Sequence, residues 1–274
     1  MDDGIEKYVE VPGGYLYHRT WGQGPDVVLV NAGFADVRMW DSTVAWLAAG
    51  IARVTTFDYR ETGLSSHGTE AYSEIEDIAA VLDAAGVRDA VLVGVSDGAR
   101  RALAFAHRHP ERVRRVVAVG GTFGEFPDPS PDETAAWQEL ADHIARRSGV
   151  LAKEGIHAAC AMDLDAWSPA LSTDQRRKMI GVAVANSYFF TLEDYFGAEL
   201  DPPVMFRFGE ITVPISVAVG GRDFKFSQLW ARRIADRAPD AHLTVLPEAD
   251  HFPMFSAPRE FERVVREALG RAAD

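Results

Sequence analysis

The run AVLVGVSDGARRAL, residues 90–103, constrains this chain more than any other segment. Its apolar first half predicts a buried strand and its second half a helix, with Ser96 at the junction. A chain that turns from strand to helix within one residue forces that residue into a strained backbone conformation, and Gly94 and Gly98 relieve the crowding around it. The hydroxyl then projects beyond the strand end, beside the N–H groups of the following helix. The segment 94–98 therefore fits the G-x-S-x-G pattern of a serine nucleophile on a sharp turn.

Strand and helix patterns alternate on both sides of this motif. Continuous or alternating apolar runs predict strands at 8–11, 15–21, 27–30, 53–57, 90–95, 113–119, 215–219 and 242–246. Helical spacing predicts helices at 39–49, 73–85, 97–108, 228–237 and 258–272. Such alternation is typical of an α/β fold with a mostly parallel twisted sheet and helices on both faces.

The pattern changes after the glycines at 120 and 121. Prolines at 127, 129 and 131 mark a junction, and the segment that follows contains helical patterns at 133–147, 151–162, 173–188 and 192–196 with no clear strand. We therefore expect an α/β core formed by residues 1–124 and 209–274. Residues 125–208 are expected to form an inserted helical cap, or lid.

Composition excludes several classes of protein. The net charge of −13 argues against a nucleic-acid partner, and no phosphate-binding loop, dinucleotide fingerprint or metal-ligand cluster is visible, so we expect no cofactor. The single Cys160 excludes a disulfide framework. No apolar run approaches the ~18 residues of a membrane span, and no signal peptide is visible. A cytoplasmic protein, monomer or homodimer, is the expectation.

Several segments together resemble the α/β-hydrolase superfamily. They are GPDVVLVNAGFADVRMW, FDYRETGLSS, HPERVRRVVAVG, VGGRDFKFS and LPEADHFPMFSAP. The resemblance implies the α/β-hydrolase fold and a catalytic triad of Ser96, Asp223 and His251, in the chain order of that superfamily. It also implies an oxyanion hole formed by the backbone N–H groups of Phe34 and Asp97. An alternative acid is Glu125, just beyond the strand at 113–119.

The chemistry independently requires these residue types. A serine hydroxyl is a weak nucleophile at neutral pH and needs a base within hydrogen-bonding reach. Imidazole suits that task, and a buried carboxylate fixes its tautomer and stabilises the imidazolium that forms. Of the eight histidines, only His251 follows a predicted strand at the carboxyl edge of the sheet.

The substrate is the least determined part of the prediction. Aromatic residues crowd the end of the insert, and we expect substrate contacts from Phe34, Asp97, Tyr188, Phe189 and Phe252. The carboxylate of Asp97 is expected to turn towards the insert or an arginine, because a negative charge beside the oxyanion would oppose catalysis.

These features predict a serine hydrolase that cleaves an ester or lactone of a medium-sized hydrophobic or aromatic compound through an acyl-enzyme on Ser96. Three alternatives remain open. They are hydrolysis of a carbon–carbon bond in a β-diketone-like substrate, acyl transfer or cyclisation in biosynthesis, and ligand binding without turnover.

Overall fold

The computed structural model describes residues 4–190 and 196–270. Within these residues the main sheet has eight strands in the order β1-β2-β4-β3-β6-β7-β9-β10. The first two pairings are antiparallel and the others parallel. The strands are β1 Ile5–Val11, β2 Gly14–Trp21, β3 Asp26–Val30, β4 Arg53–Phe57, β5 Tyr72–Ser73, β6 Ala90–Val95, β7 Val113–Val119, β8 Gly197–Ala198, β9 Ile215–Gly220 and β10 Ala241–Leu246.

Helices cover both faces of this sheet. They are α1 Asp41–Leu47, α2 Glu74–Ala84, α3 Asp97–Arg108, α4 Pro131–Glu154, α5 Ile156–Trp167, α6 Thr173–Ala185, α7 Lys225–Arg237, α8 Pro253–Ser256 and α9 Pro258–Ala268. One core lies beneath α2, α3 and α7, and the other lies beneath α1 and α9. Residues of β3 enter the two cores alternately, Val28 and Val30 on one face and Val27 and Leu29 on the other. The predicted burial of this strand on both faces is confirmed.

The segment 125–208 leaves the sheet after β7 and contains α4, α5 and α6; we call it the insert. Two of its helices, α4 and α6, begin at well-formed caps. Ser130 and Glu133 form a capping box at the start of α4, and Ser172 and Gln175 form another at the start of α6. The last part of the insert is not separate from the core, because the ring of Phe208 lies 5.3 Å from that of Phe123 and is 1% exposed.

The structure corrects three local predictions. Helix α4 continues through Gly149 to Glu154, and the break comes at Gly155, where φ is 85°. The insert does contain a strand, since β8 pairs with β5 in a separate two-stranded sheet. The short helix α8 follows His251 and was not predicted. The predicted helix at 192–196 lies almost entirely outside the described residues, as do residues 271 and 272 of the last predicted helix.

Among the described residues, none of the helices has the length and apolar character needed to cross a membrane.

Candidate active site

Ser96 lies at the junction of β6 and α3 with φ 58° and ψ −123°, a strained conformation for a residue with a side chain. The two flanking glycines are required by close packing. A Cβ on Gly94 would overlap the carbonyl group of Gly98, and one on Gly98 would overlap the backbone oxygens of Val30 and Asn31. The sharp turn therefore depends on bare backbone at both positions, and α3 lies directly against the end of β3.

The hydroxyl of Ser96 has a neighbour that the sequence did not indicate. Its Oγ lies 3.2 Å from Oγ1 of Thr122, in the loop after β7. The backbone N–H of Thr122 also donates to the carbonyl oxygen of Ser96, at 3.4 Å. Ser96 and His251 line the same cavity. In the pair of Ser96 and Thr122 either hydroxyl can be the donor, and hydrogen bonds in catalytic sites often tighten only when the substrate binds.

His251 and Asp223 form a buried pair. Nδ1 of His251 lies 2.8 Å from Oδ2 of Asp223, and the two side chains are 2% and 0% exposed. The other oxygen of Asp223 accepts from the backbone N–H of Phe224 at 2.7 Å. Gly120 packs against the pair, because a Cβ there would lie 3.0 Å from Oδ2 of Asp223 and 3.1 Å from Nδ1 of His251. The carboxylate is thus held in place to orient the imidazole.

Backbone hydrogen bonds join the loops that carry these two residues. The N–H of Gly221 donates to the oxygen of Leu246 at 2.8 Å, and that of Arg222 donates to Ala249 at 2.9 Å. Because β9 and β10 are parallel neighbours, both loops leave the same sheet edge. This pairing explains why residues 28 positions apart meet.

The insert contacts His251 directly. The ring of Trp167, at the end of α5, lies 4.3 Å from the imidazole, and its carbonyl oxygen accepts from the His251 N–H at 3.2 Å. Asp250 adds a second link, since its Oδ2 accepts from the N–H of Ala170 at 3.1 Å. Its Oδ1 binds Phe252 N and Ser256 Oγ. Asp250 therefore fastens the histidine loop to the insert.

The loop after β3 carries Phe34, the first predicted oxyanion donor. Nε1 of Trp40 donates to Asn31 at 2.8 Å, and the Tyr59 hydroxyl lies against the carbonyl oxygens of Asn31 and Ala32. Gly33 lies beside Asp97, because a Cβ on Gly33 would be 3.4 Å from that of Asp97. The loop is therefore held against the start of α3, as an oxyanion hole built from these two segments requires.

The Asp97 side chain turns to arginine, as the sequence predicted. One carboxylate oxygen accepts from Nε of Arg100 at 2.6 Å, and the other binds Arg101. These arginines are shared with Glu74 and Glu199. Although burial lowers the pKa of Arg100, the carboxylates of Asp97 and Glu74 raise it above its ordinary value. The carboxylate of Asp97 is thus paired with two guanidinium groups.

A cavity of about 360 Å³ opens above Ser96, Asp97 and His251. One face of α4 lines it with residues at positions 137, 140, 144 and 147, a helical spacing, and Asp163 and Trp167 of α5 lie one turn apart. The wall is largely aromatic and aliphatic: Phe34, Phe123, Trp137, Leu140, Trp167 and Phe226. The arrangement suits a compact apolar ligand.

Not every predicted substrate contact is at this cavity. Phe252 is fully buried in the core and does not line the cavity, because the turn before α8 points it inward. Tyr188 is 43% exposed and lies with its ring 4.0 Å from that of His67 instead. The side chain of Phe189 lies outside the described residues. Glu125, the alternative acid, is exposed, whereas Asp223 binds His251.

Sequence reasoning did not single out Thr122, Phe123, Phe226 or Asp163. Helical periodicity of the insert could have shown which residues share a face, but not which face covers Ser96. That depends on how α4 and α5 pack on the core.

Comparison with known proteins identifies the family of this chain. A sequence profile of the alpha/beta hydrolase family matches residues 27–264. The chain belongs to this family. A putative carbamate hydrolase, RutD, of a Caulobacter species is 27% identical over 94% of this chain and 97% of its own length. A zearalenone hydrolase of Bionectria ochroleuca is 35% identical, over 40% of this chain. The match spans only 44% of that relative.

Solved structures with this fold include an enol-lactonase of Burkholderia xenovorans LB400, with a TM-score of 0.74 and 24% identity, covering 97% of this chain and 100% of the other. A Rhodococcus esterase, RhEst1, has a TM-score of 0.78 and 21% identity, covering 97% and 98%. At such identities these likenesses show the fold alone. The family match and the relatives named as hydrolases identify the chain as an α/β-type hydrolase.

Proposed function

We propose that this α/β hydrolase is a serine hydrolase that cleaves an ester or lactone of a medium-sized hydrophobic or aromatic compound. The observation that carries the proposal is the 2.8 Å contact between His251 and Asp223, on the same cavity as a serine held at a strained turn. A positioned base and a carboxylate that orients it are what a serine needs to become a nucleophile.

In this proposal Ser96 attacks the substrate carbonyl carbon as Nε2 of His251 takes the hydroxyl proton. The carbonyl oxygen gains the electron pair, and the backbone N–H groups of Phe34 and Asp97 stabilise it. Collapse of the intermediate expels the alcohol, which receives the proton from His251. Water then attacks the acyl-enzyme by the same route, releasing the acid and restoring Ser96.

The walls of the cavity support an apolar substrate. Its arginines already bind carboxylates: Arg100 contacts Asp97, Glu74 and Glu199, and Arg101 contacts Asp97 and Glu74. A substrate anion would have to compete with these partners. The relatives named as a zearalenone hydrolase and an enol-lactonase fit a lactone or ester as the reacting group.

A panel of aromatic esters, aromatic lactones and β-diketones, incubated with the wild type and with Ser96→Ala, tests the proposal. We expect turnover of at least one ester or lactone, reduced by about 10³-fold or more in Ser96→Ala. Ser148→Ala, an exposed serine of α4, is the matched control and should match the wild type. Turnover of diketones alone, or full activity of Ser96→Ala, would overturn the proposal.

A further inference from the structure

A buried carboxylate lies in the wall of the active-site cavity with no part in the proposed chemistry. Asp163 of α5 is 1% exposed and lines the cavity that contains Ser96 and His251. Its Oδ1 lies 2.8 Å from Nε2 of His143 and 3.5 Å from Nη1 of Arg147. Its Oδ2 has no hydrogen-bond partner among residues 4–190 and 196–270.

An orphaned carboxylate oxygen is costly inside a protein, because no hydrogen bond offsets its lost hydration. The surroundings offer little compensation. The ring of His143 packs 5.4 Å from that of Phe224, and Trp167 packs against Phe224 at 4.4 Å. Burial, together with the charge of Asp163, raises the pKa of the neighbouring Cys160 thiol to about 11. The carboxylate is therefore poorly solvated, and a hydrogen bond donated by a ligand would stabilise it more than it would an exposed carboxylate.

The charges around Asp163 select the kind of donor. Arg147 lies on the same carboxylate and already balances its charge. A second cation, such as a substrate ammonium group, would be repelled by that guanidinium, and an anion would be repelled by Asp163. A neutral hydroxyl group satisfies the orphaned oxygen without disturbing this balance.

We propose that Asp163 is a specificity-determining residue that accepts a hydrogen bond from a hydroxyl group of the substrate, so that the natural substrate is a hydroxylated aromatic ester or lactone. This inference rests on the proposed function, because it places the substrate in this cavity with its carbonyl at Ser96. His143 and Arg147 hold the carboxylate in position, and the aromatic walls hold the ring that carries the hydroxyl.

Binding to the Ser96→Ala protein tests the inference without any need for turnover. The ligands are the methyl ester of a phenylpropanoic acid and its ortho-, meta- and para-hydroxyl derivatives, measured by titration calorimetry. Because a hydrogen bond to a charged group is stronger than one between neutral groups, we expect at least one hydroxyl isomer to bind about 10-fold tighter than the parent ester, or more. No preference for any of the isomers would overturn the inference.

Two further arms assign the preference to Asp163. In the Ser96→Ala background, Asp163→Asn should bring the affinity ratio of hydroxyl to parent ester close to 1. Asp165→Asn, on the same helix but 54% exposed and paired with Arg176, should leave it unchanged. Replacing the best isomer's hydroxyl by methoxy, which cannot donate, should also abolish the preference, and this arm needs no variant of Asp163. The inference would be overturned if Asp163→Asn left the affinity ratio of hydroxyl to parent ester unchanged, or if the methoxy ligand bound as tightly as the hydroxyl isomer.

The two proposals fail in different ways. If no ester or lactone hydrolysis that depends on Ser96 is found, the proposed function is overturned, whatever the affinity ratios are. Ser96-dependent hydrolysis with no hydroxyl preference overturns the role of Asp163 alone.

Discussion

Two buried carboxylates lie beside the His251 ring or its backbone, and only one of them binds the ring. Asp223 reaches Nδ1 at 2.8 Å, whereas adjacent Asp250 binds Ala170, Phe252 and Ser256. Residue type and closeness to His251 in the sequence do not distinguish the roles of these two aspartates. The backbone of the two loops does so, because it directs each carboxylate to a different set of donors.

Asp223→Asn should lower kcat by about 10³- to 10⁴-fold, because the amide holds the wrong histidine tautomer, as in the serine-protease triad. Asp250→Asn should keep kcat within about 10-fold of the wild-type value. It should instead lower the free energy of unfolding, because buried hydrogen bonds are lost. Ester kinetics and urea unfolding of both variants check this. Equal losses of kcat in the two variants would contradict the assignment of Asp223 to the ring.

Substitution by alanine should change the free energy of unfolding in opposite directions at two glycines. Gly98→Ala places a methyl group against the carbonyl oxygens of Val30 and Asn31, and should lower the free energy of unfolding by about 1–3 kcal/mol or more. Gly149→Ala lies within α4 with open space around it, and should raise it by about 0.5–1 kcal/mol. Urea unfolding measures both. A tolerated Gly98→Ala would show that α3 can move away from β3.

At the scale of elements, the sequence predicts the sheet far better than the insert. The central strands β3 and β6 are buried apolar runs with clear ends, so their bounds follow from the local pattern. The two-residue strands β5 and β8 have no such pattern and exist only because their segments meet. The wall of the cavity has the same origin: Asp163 and Trp137 reach it through the packing of α4 and α5, which periodicity alone does not determine.

A buried side chain at the end of α6 forms hydrogen bonds with two loops of the core. Asn186 accepts from the N–H of Gly63 at 2.7 Å and donates to Asp36 at 2.8 Å. Asn186→Ala removes one hydrogen bond from the Gly63 N–H and one from the buried Asp36 carboxylate, and should lower the free energy of unfolding by about 2 kcal/mol. Hydrogen exchange should rise along α6. Arg177→Ala, an exposed residue of the same helix, is the control. Unchanged exchange in Asn186→Ala would show that other contacts hold the helix.

At the scale of the whole molecule, one buried acid couples stability to pH. Burial raises the pKa of Asp58 to about 7, and the nearby charge of Asp36 adds to this, although the N–H groups of Leu64 and Val37 oppose it. The folded state therefore holds a proton that the unfolded state releases near its ordinary pKa of 3.8. Stability from this group is present at low pH and is lost as the pH rises towards and through about 7.

The wild type should accordingly lose stability between pH 5 and pH 8 more steeply than Asp58→Asn, which carries no titrating group there. The net charge of −13 adds self-repulsion in both proteins, so only the difference between the two curves reports on Asp58. Thermal unfolding across this range provides the measurement. Parallel curves would contradict a raised pKa at this site.

The most direct test of the account is to label the protein with a fluorophosphonate and locate the modified residue by mass spectrometry. If His251 and Asp223 activate Ser96, the wild type should take up one label, on Ser96, at a rate reduced by about 10³-fold or more in His251→Gln. Ser96→Ala should take up none. A folded wild type that stays unlabelled, or is labelled elsewhere, would contradict the claim that these three residues form one catalytic unit.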